Sequence, residues 1–164
     1  MPTIPEFLQE LDHEAVTTRR VLERVPEDRF EWRPHQKSMS LGQLANHIAQ
    51  IPLRISGIAK EASFDAANIT PPGSPASAEE LLATFDNGLA AARDTIGSMS
   101  DADLAGMWRM MRNGQEMMTM PRGAVLRNIL FNHWYHHRGQ LTVYLRLNDV
   151  PLPSVYGPTA DLRF

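Results

Sequence analysis

Phe131-Asn132-His133-Trp134-Tyr135-His136-His137-Arg138-Gly139-Gln140 is the stretch from which the rest of the chain can be read. It contains three of the six histidines. His133 and His137 are four residues apart, so on a helix they share one face. Leu126, Ile129, Leu130, Leu141 and Tyr144 continue that face at three- and four-residue spacing. The pattern predicts an amphipathic helix with two imidazoles near the middle of its apolar stripe. A buried polar group without a partner costs about 1–3 kcal/mol. One metal ion would satisfy both rings, and this is the spacing by which a helix supplies two nitrogen ligands. His136 also lies one turn from His133, but on the shoulder of the stripe, which favours His137. Spacing alone leaves a second reading open: two unrelated histidines, hydrogen-bonded in the core or at the surface. Metal binding needs a third ligand from elsewhere.

Before this segment, Leu41, Leu44, His47, Ile48, Ile51, Ile55 and Ile58 form another helical stripe, over a helix predicted from Leu41 to about Lys60. His47 is its only strongly polar member. Ser40-Leu-Gly-Gln43 has the form of a capping box that starts the helix. Pro52 inside it removes the hydrogen bond to the Ile48 carbonyl and is expected to bend the helix one turn after His47. Three inward imidazoles on two helices, His47, His133 and His137, describe a site for zinc or a similar divalent ion with an open position. No Asp or Glu falls on these faces, so no general base is evident. Asn46, Gln50 and Gln140 are candidates to hold the outer ring nitrogens.

Two further helices complete an all-α pattern. Phe7, Leu11, Ala15, Thr18, Leu22 and Val25 predict one from Pro5 to about Val25, stopped by Pro26. Leu81, Phe85, Leu89, Ala92, Ile96 and Met99 predict another, opened by a capping box at Ser77-Ala-Glu-Glu80. His13 and His35 fall outside the stripes and read as surface residues. Glu10, Glu14, Arg19 and Arg20 read as exposed charges. Residues 62–76 read as a loop, and Ser100 with Asp101 and Asp103 as a short helical turn. Asn113-Gly114 signals a short hairpin over residues 106–120, where six of the nine methionines lie. That segment reads as gap-filling against the bundle or as a pliable wall for a ligand. Pro121 is expected to open the last helix, which runs to about Leu147. Gly139 within it suggests close approach of another backbone, or a cost accepted for some other reason. The Pro-rich tail is expected to cross the bundle end or a neighbouring subunit.

The length of 164 residues suits one domain over residues 1–164. A net charge of −3 without basic runs argues against nucleic acid as the main partner. No segment resembles a signal peptide or a membrane span, which makes a cytoplasmic protein the expectation. The absence of cysteine excludes thiolate ligands and a cysteine nucleophile, so any reacting thiol must arrive with a substrate.

The chain resembles the DinB-like family of metal-binding bundles. The matching segments are Trp32-Arg-Pro34, Ser40-Leu-Gly-Gln-Leu-Ala-Asn-His47-Ile, His133-Trp-Tyr-His-His137-Arg-Gly-Gln-Leu, and Val150-Pro-Leu-Pro with Tyr156-Gly-Pro. The resemblance implies a four-helix bundle of the DinB/YfiT-like type with up-down-down-up order, often a homodimer, with a metal at His47, His133 and His137. Zinc or nickel is expected. Relatives include transferases and isomerases that use a low-molecular-weight thiol such as bacillithiol, mycothiol or glutathione. The expected activity is a metal-dependent, thiol-using transferase or a hydrolase on a small-molecule substrate. The alternatives are a non-catalytic metal-binding stress protein or bundle scaffold, and a bare structural bundle whose histidines hydrogen-bond to each other and to water.

Overall fold

The computed structural model describes residues 2–162. Four long helical segments form the bundle: α1 (Ile4–Leu22), α2 (Leu41–Lys60), α3 (Ala78–Gly97), and a last segment that begins as α5 (Arg122–Val125) and ends as α6 (His133–Leu147). A short α4 (Asp101–Ala105) follows α3. α1 packs on α3 and α6, and α2 packs on the same two helices. Helices 1 and 2 therefore lie diagonally, and residues 23–40 cross between them. All six expected stripe positions of α1 are buried, as are Leu81, Phe85, Ala92 and Ile96 of α3.

Local chemistry fixes the helix starts. Ser40 Oγ accepts from Gln43 N at 3.2 Å and Gln43 Oε1 accepts from Ser40 N at 2.9 Å, a complete capping box. At the start of α3 only half the box forms. Ser77 Oγ accepts from Glu80 N, but the Glu80 carboxylate accepts from Ala76 N. Gly42 permits close packing beneath Phe30: a Cβ there would stand 2.9 Å from Phe30 Cβ.

In the sheet and the last helix, three features differ from the sequence reading. First, the hairpin exists, but within a three-stranded sheet. β2 (Met107–Arg112) and β3 (Gln115–Pro121) pair antiparallel around Asn113 and Gly114, whose φ values of 52° and 79° give the left-handed pair of a tight turn. β1 (Ser63–Asp65), inside the expected loop, pairs parallel with β2. The Asp65 carboxylate accepts from the backbone N–H of Asn113 and Gly114, fastening the turn. Second, Pro121 ends β3 and caps the helix rather than opening it. Third, Leu126–Asn132 between α5 and α6 is a π-helical turn. A π-turn adds a residue to the local ladder, which straight helical spacing does not anticipate.

Pro52 remains inside a continuous α2. The Ile48 carbonyl that it leaves without a helical donor accepts the indole N–H of Trp134 at 3.1 Å. Trp108 on β2 does the same near the C-terminal end of α2, donating to the Ile58 carbonyl at 3.0 Å. Both indoles are fully buried. They tie α2 to α6 and to the sheet on either side of the histidines.

Glu14 is not a surface charge. It is buried against Arg138, with Oε2 2.7 Å from the guanidinium. Arg138 also donates to Thr18 Oγ1 at 3.0 Å, and Tyr156 Oη donates to Glu14 Oε2 at 2.9 Å. The tail is thereby held on its own bundle through Tyr156. Glu10 is likewise paired: Arg127 donates to both its oxygens, and the Tyr135 hydroxyl donates to it at 2.6 Å. The Arg127 guanidinium holds the Glu10 carboxyl below the usual carboxylate range. Gly139 is exposed and a Cβ there would meet no atom, so no neighbouring backbone explains it within this chain.

Candidate metal centre

His47 lies two turns into α2, held inward by Ile48 and Leu44 on its flanks, which are buried in the core. His133 is the first residue of α6 and His137 lies one turn later. The π-turn before His133 sets the angle at which α6 begins. All three rings are half-buried, and their ligand nitrogens lie within 4.8 Å of one another. His47 Nε2 is 3.3 Å from His133 Nε2, which is 2.8 Å from His137 Nε2. The ring centroids are 4.5–5.1 Å apart. His136 is exposed and its ring points away from the shared centre, touching only the edge of His137 at 4.9 Å. His13 and His35 are exposed and distant.

The donor set fits a divalent ion. Nitrogens ~2.0–2.1 Å from a tetrahedral zinc are about 3.3 Å from one another, close to the separation of His47 and His133. The second pair is slightly tighter. Hydrogen bonding among the rings accounts for only one of the two contacts. Gln140 Oε1 accepts from His137 Nδ1 at 2.7 Å, so His137 Nε2 is left as a lone pair. His133 Nε2 carries at most one proton and cannot donate to both neighbours. Three imidazole edges facing one point, with no carboxylate in the group, are the arrangement a cation relieves.

Burial, which disfavours the charged form, brings the pKa of His47 and His137 down to about 4, with neighbouring histidines adding to the effect. His133 is lowered for the same reason, against a smaller opposing effect from the Ile129 carbonyl. That carbonyl makes no well-formed hydrogen bond with His133 Nδ1, which remains without a partner, as does His47 Nδ1, among the described residues. Burial therefore favours the neutral, lone-pair-donating form of all three rings. Of the three expected outer-ring partners, only Gln140 meets a histidine. Asn46 donates to the Gly73 carbonyl at 2.8 Å and Gln50 to Asn46 at 3.3 Å, which pins the loop over residues 70–76 instead.

Beside the cluster opens a cavity of about 270 Å³. His47 and His133 form one end. Ile51, Ile55, Phe64, Trp108 and Ile129 supply apolar walls, with Arg54 the one charged residue. The sequence reading allowed for a ligand wall in the methionine-rich segment but not for the wall at Phe64, because that side of the chamber depends on β1. Met110 is the one methionine of the hairpin that lines it, while Met107, Met117 and Met118 are exposed.

Comparison with known proteins places this architecture. A DinB-like protein from Bacillus cereus ATCC 10987 has the same fold, with a TM-score of 0.72 at 24% identity over 94% of this chain and 98% of that one. A DinB-like protein from Bacillus subtilis superposes with a TM-score of 0.67 at 18% identity, covering 89% of this chain and 96% of the other. An uncharacterized protein of Bacillus subtilis (strain 168), YrdA, is 27% identical over 161 residues, 97% of this chain and 91% of its own length. The sequence model of the DinB family matches residues 1–161. With that match spanning nearly the whole length, the chain belongs to the DinB family.

Proposed function

We propose that this protein is a divalent-metal-dependent enzyme acting on a small molecule, with His47, His133 and His137 as the metal ligands. The observation that carries the reading is the convergence of three imidazole nitrogens beside an apolar cavity that His47 and His133 line. When bound, a zinc or nickel ion lowers the pKa of a coordinated thiol or water, or polarises a carbonyl. The chain's own residues hold the rings and keep water out. Gln140 fixes the tautomer of His137, the Trp134 bond to Ile48 keeps α2 and α6 in register beside it, and the cavity walls offer an apolar surface to the substrate. A thiol-dependent transferase suits a chain with no cysteine of its own, and a hydrolase suits the same site with water in place of the thiol. We place the protein in the cytoplasm as a homodimer.

One observation favours a second reading, a non-catalytic metal-holding protein: no Asp or Glu lines the cavity, so no carboxylate stands ready as general base. One experiment separates the two. Protein purified without a histidine tag is assayed for bound metal, then for turnover with zinc or nickel, glutathione, bacillithiol or mycothiol, and a panel of electrophilic and ester substrates. One ion per chain that survives dialysis and is lost in His133→Ala supports the metal centre. Turnover that needs the ion supports the enzyme, and metal without turnover supports the holder. Protein that takes up no metal overturns both.

A further inference from the structure

Besides the imidazoles, the cavity has one other functional group of consequence. Arg54 follows His47 by seven residues, two turns of α2, which puts both on one face roughly 10 Å apart along the axis. The side chain is half-buried at the cavity wall. A guanidinium has five N–H donors in a rigid fork. Here two of them reach neutral oxygens, Gln50 Oε1 and Thr70 Oγ1, each at 3.5 Å, the outer limit of a hydrogen bond. No carboxylate lies within ion-pair distance of Arg54 among the described residues. Three of the other arginines drawn out of solvent differ, while Arg122, like Arg54, meets a neutral oxygen and no carboxylate. Arg19, Arg127 and Arg138 each hold an Asp or Glu, and Arg122 donates to the Glu61 carbonyl at 3.2 Å. A half-buried cation with no anion of its own keeps charged donors free to pair with one. None of the cavity-lining residues is acidic, so nothing in the chamber repels a negative group.

We propose that the cavity binds a small molecule with an apolar body and one anionic head group, the head paired with Arg54 and the body lying against Ile51, Ile55 and Trp108 towards the histidines. The chamber, near the lower end of the ~300–1,000 Å³ usual for ligand sites, sets a compact size. The planar fork of Arg54 matches a carboxylate in two parallel bonds, and a phosphate monoester shares that chemistry. The proposal deepens the enzymatic reading, since it names the substrate class of the same site. The pairing at Arg54 itself does not depend on a metal.

The test uses the full chain stripped of metal by chelator, so that no anion is held by an ion. Titration calorimetry compares 3-phenylpropionate, its neutral amide 3-phenylpropanamide, and 2-phenylethyl phosphate, on the wild type and on Arg54→Gln. At least one anion is expected to bind tenfold or more tightly than the amide. The tighter of the two identifies the head group. Arg54→Gln is expected to lose that preference while leaving amide affinity and the melting temperature unchanged. Equal affinity for all three probes, no binding of any, or a preference that survives in Arg54→Gln would overturn the proposal. Metal uptake is measured separately on the same samples. An Arg54-dependent preference in protein that takes up no metal overturns the metal centre and keeps this site. Metal uptake without the preference does the reverse.

Discussion

Glu14 and Arg138 stand 124 residues apart in the chain and are withdrawn from water together. Removing one member of such a pair strands the other charge, which costs about 3–5 kcal/mol. Glu14→Ala is therefore expected to lower stability by that order in urea unfolding. Glu14→Leu combined with Arg138→Met is expected to recover most of the loss, and failure to do so would show that the pair does more than balance charge. Periodicity assigned Glu14 to the surface because a charge off the apolar stripe is ordinarily solvated, and its partner could not be seen at such separation. The histidines were legible for the converse reason: a polar residue on an apolar stripe is conspicuous locally. Their burial carries a pH prediction. In the metal-free protein His47 and His137 protonate near 4, whereas the unfolded chain takes up those protons around 6.5. Stability present above pH 6.5 is accordingly lost as the pH falls towards 4. Chemical-denaturation midpoints between pH 7.5 and 4.5 should fall more steeply for the wild type than for the His47→Ala, His137→Ala double variant. Parallel profiles would remove these rings from the explanation.

At the scale of elements, the four helices and the hairpin were readable because their signals are local and repeated. Stripes at three- and four-residue spacing mark the helices, and Asn113-Gly114 marks the turn. β1 was not readable, since three residues give no period and its pairing with β2 is a tertiary fact. The π-turn over Leu126–Asn132 left no trace in composition, because it changes the hydrogen-bond ladder and not the residue types. Pro52 was legible as a break in that ladder, but its resolution was not: the orphaned Ile48 carbonyl is taken by Trp134. The arrangement predicts coupling between two helices. In wild type, Trp134→Phe leaves a buried carbonyl without a donor, at about 1–3 kcal/mol. In a Pro52→Ala background the restored N–H of residue 52 can satisfy Ile48, and the same Trp134→Phe change should cost about 1 kcal/mol less. A double-mutant cycle measured by denaturant unfolding checks this, and additivity within ~0.3–0.5 kcal/mol would refute it.

For the whole molecule, the histidine cluster joins α2 to α6, so an ion held there would brace two of the four bundle helices. Free zinc at a hundred times its dissociation constant adds about 2.7 kcal/mol of stability, a rise of roughly 5–11 °C in melting temperature for a chain of this size. Calorimetric scans with and without zinc should show that rise in the wild type and none in His133→Ala. The sheet lies against the same region and closes the cavity from the side. On its rim Met117 and Met118 are 58% and 43% exposed, whereas Met110, one strand away, faces inward. Peroxide meets the outer thioethers first, and each sulfoxide formed there consumes an equivalent of oxidant without disturbing the chamber. Peptide mass spectrometry over a peroxide time course should find Met117 and Met118 oxidised well before Met110. Such an order would make the strand's outer edge a sacrificial shield, whose exhaustion is marked by the first polar sulfoxide on the inner wall.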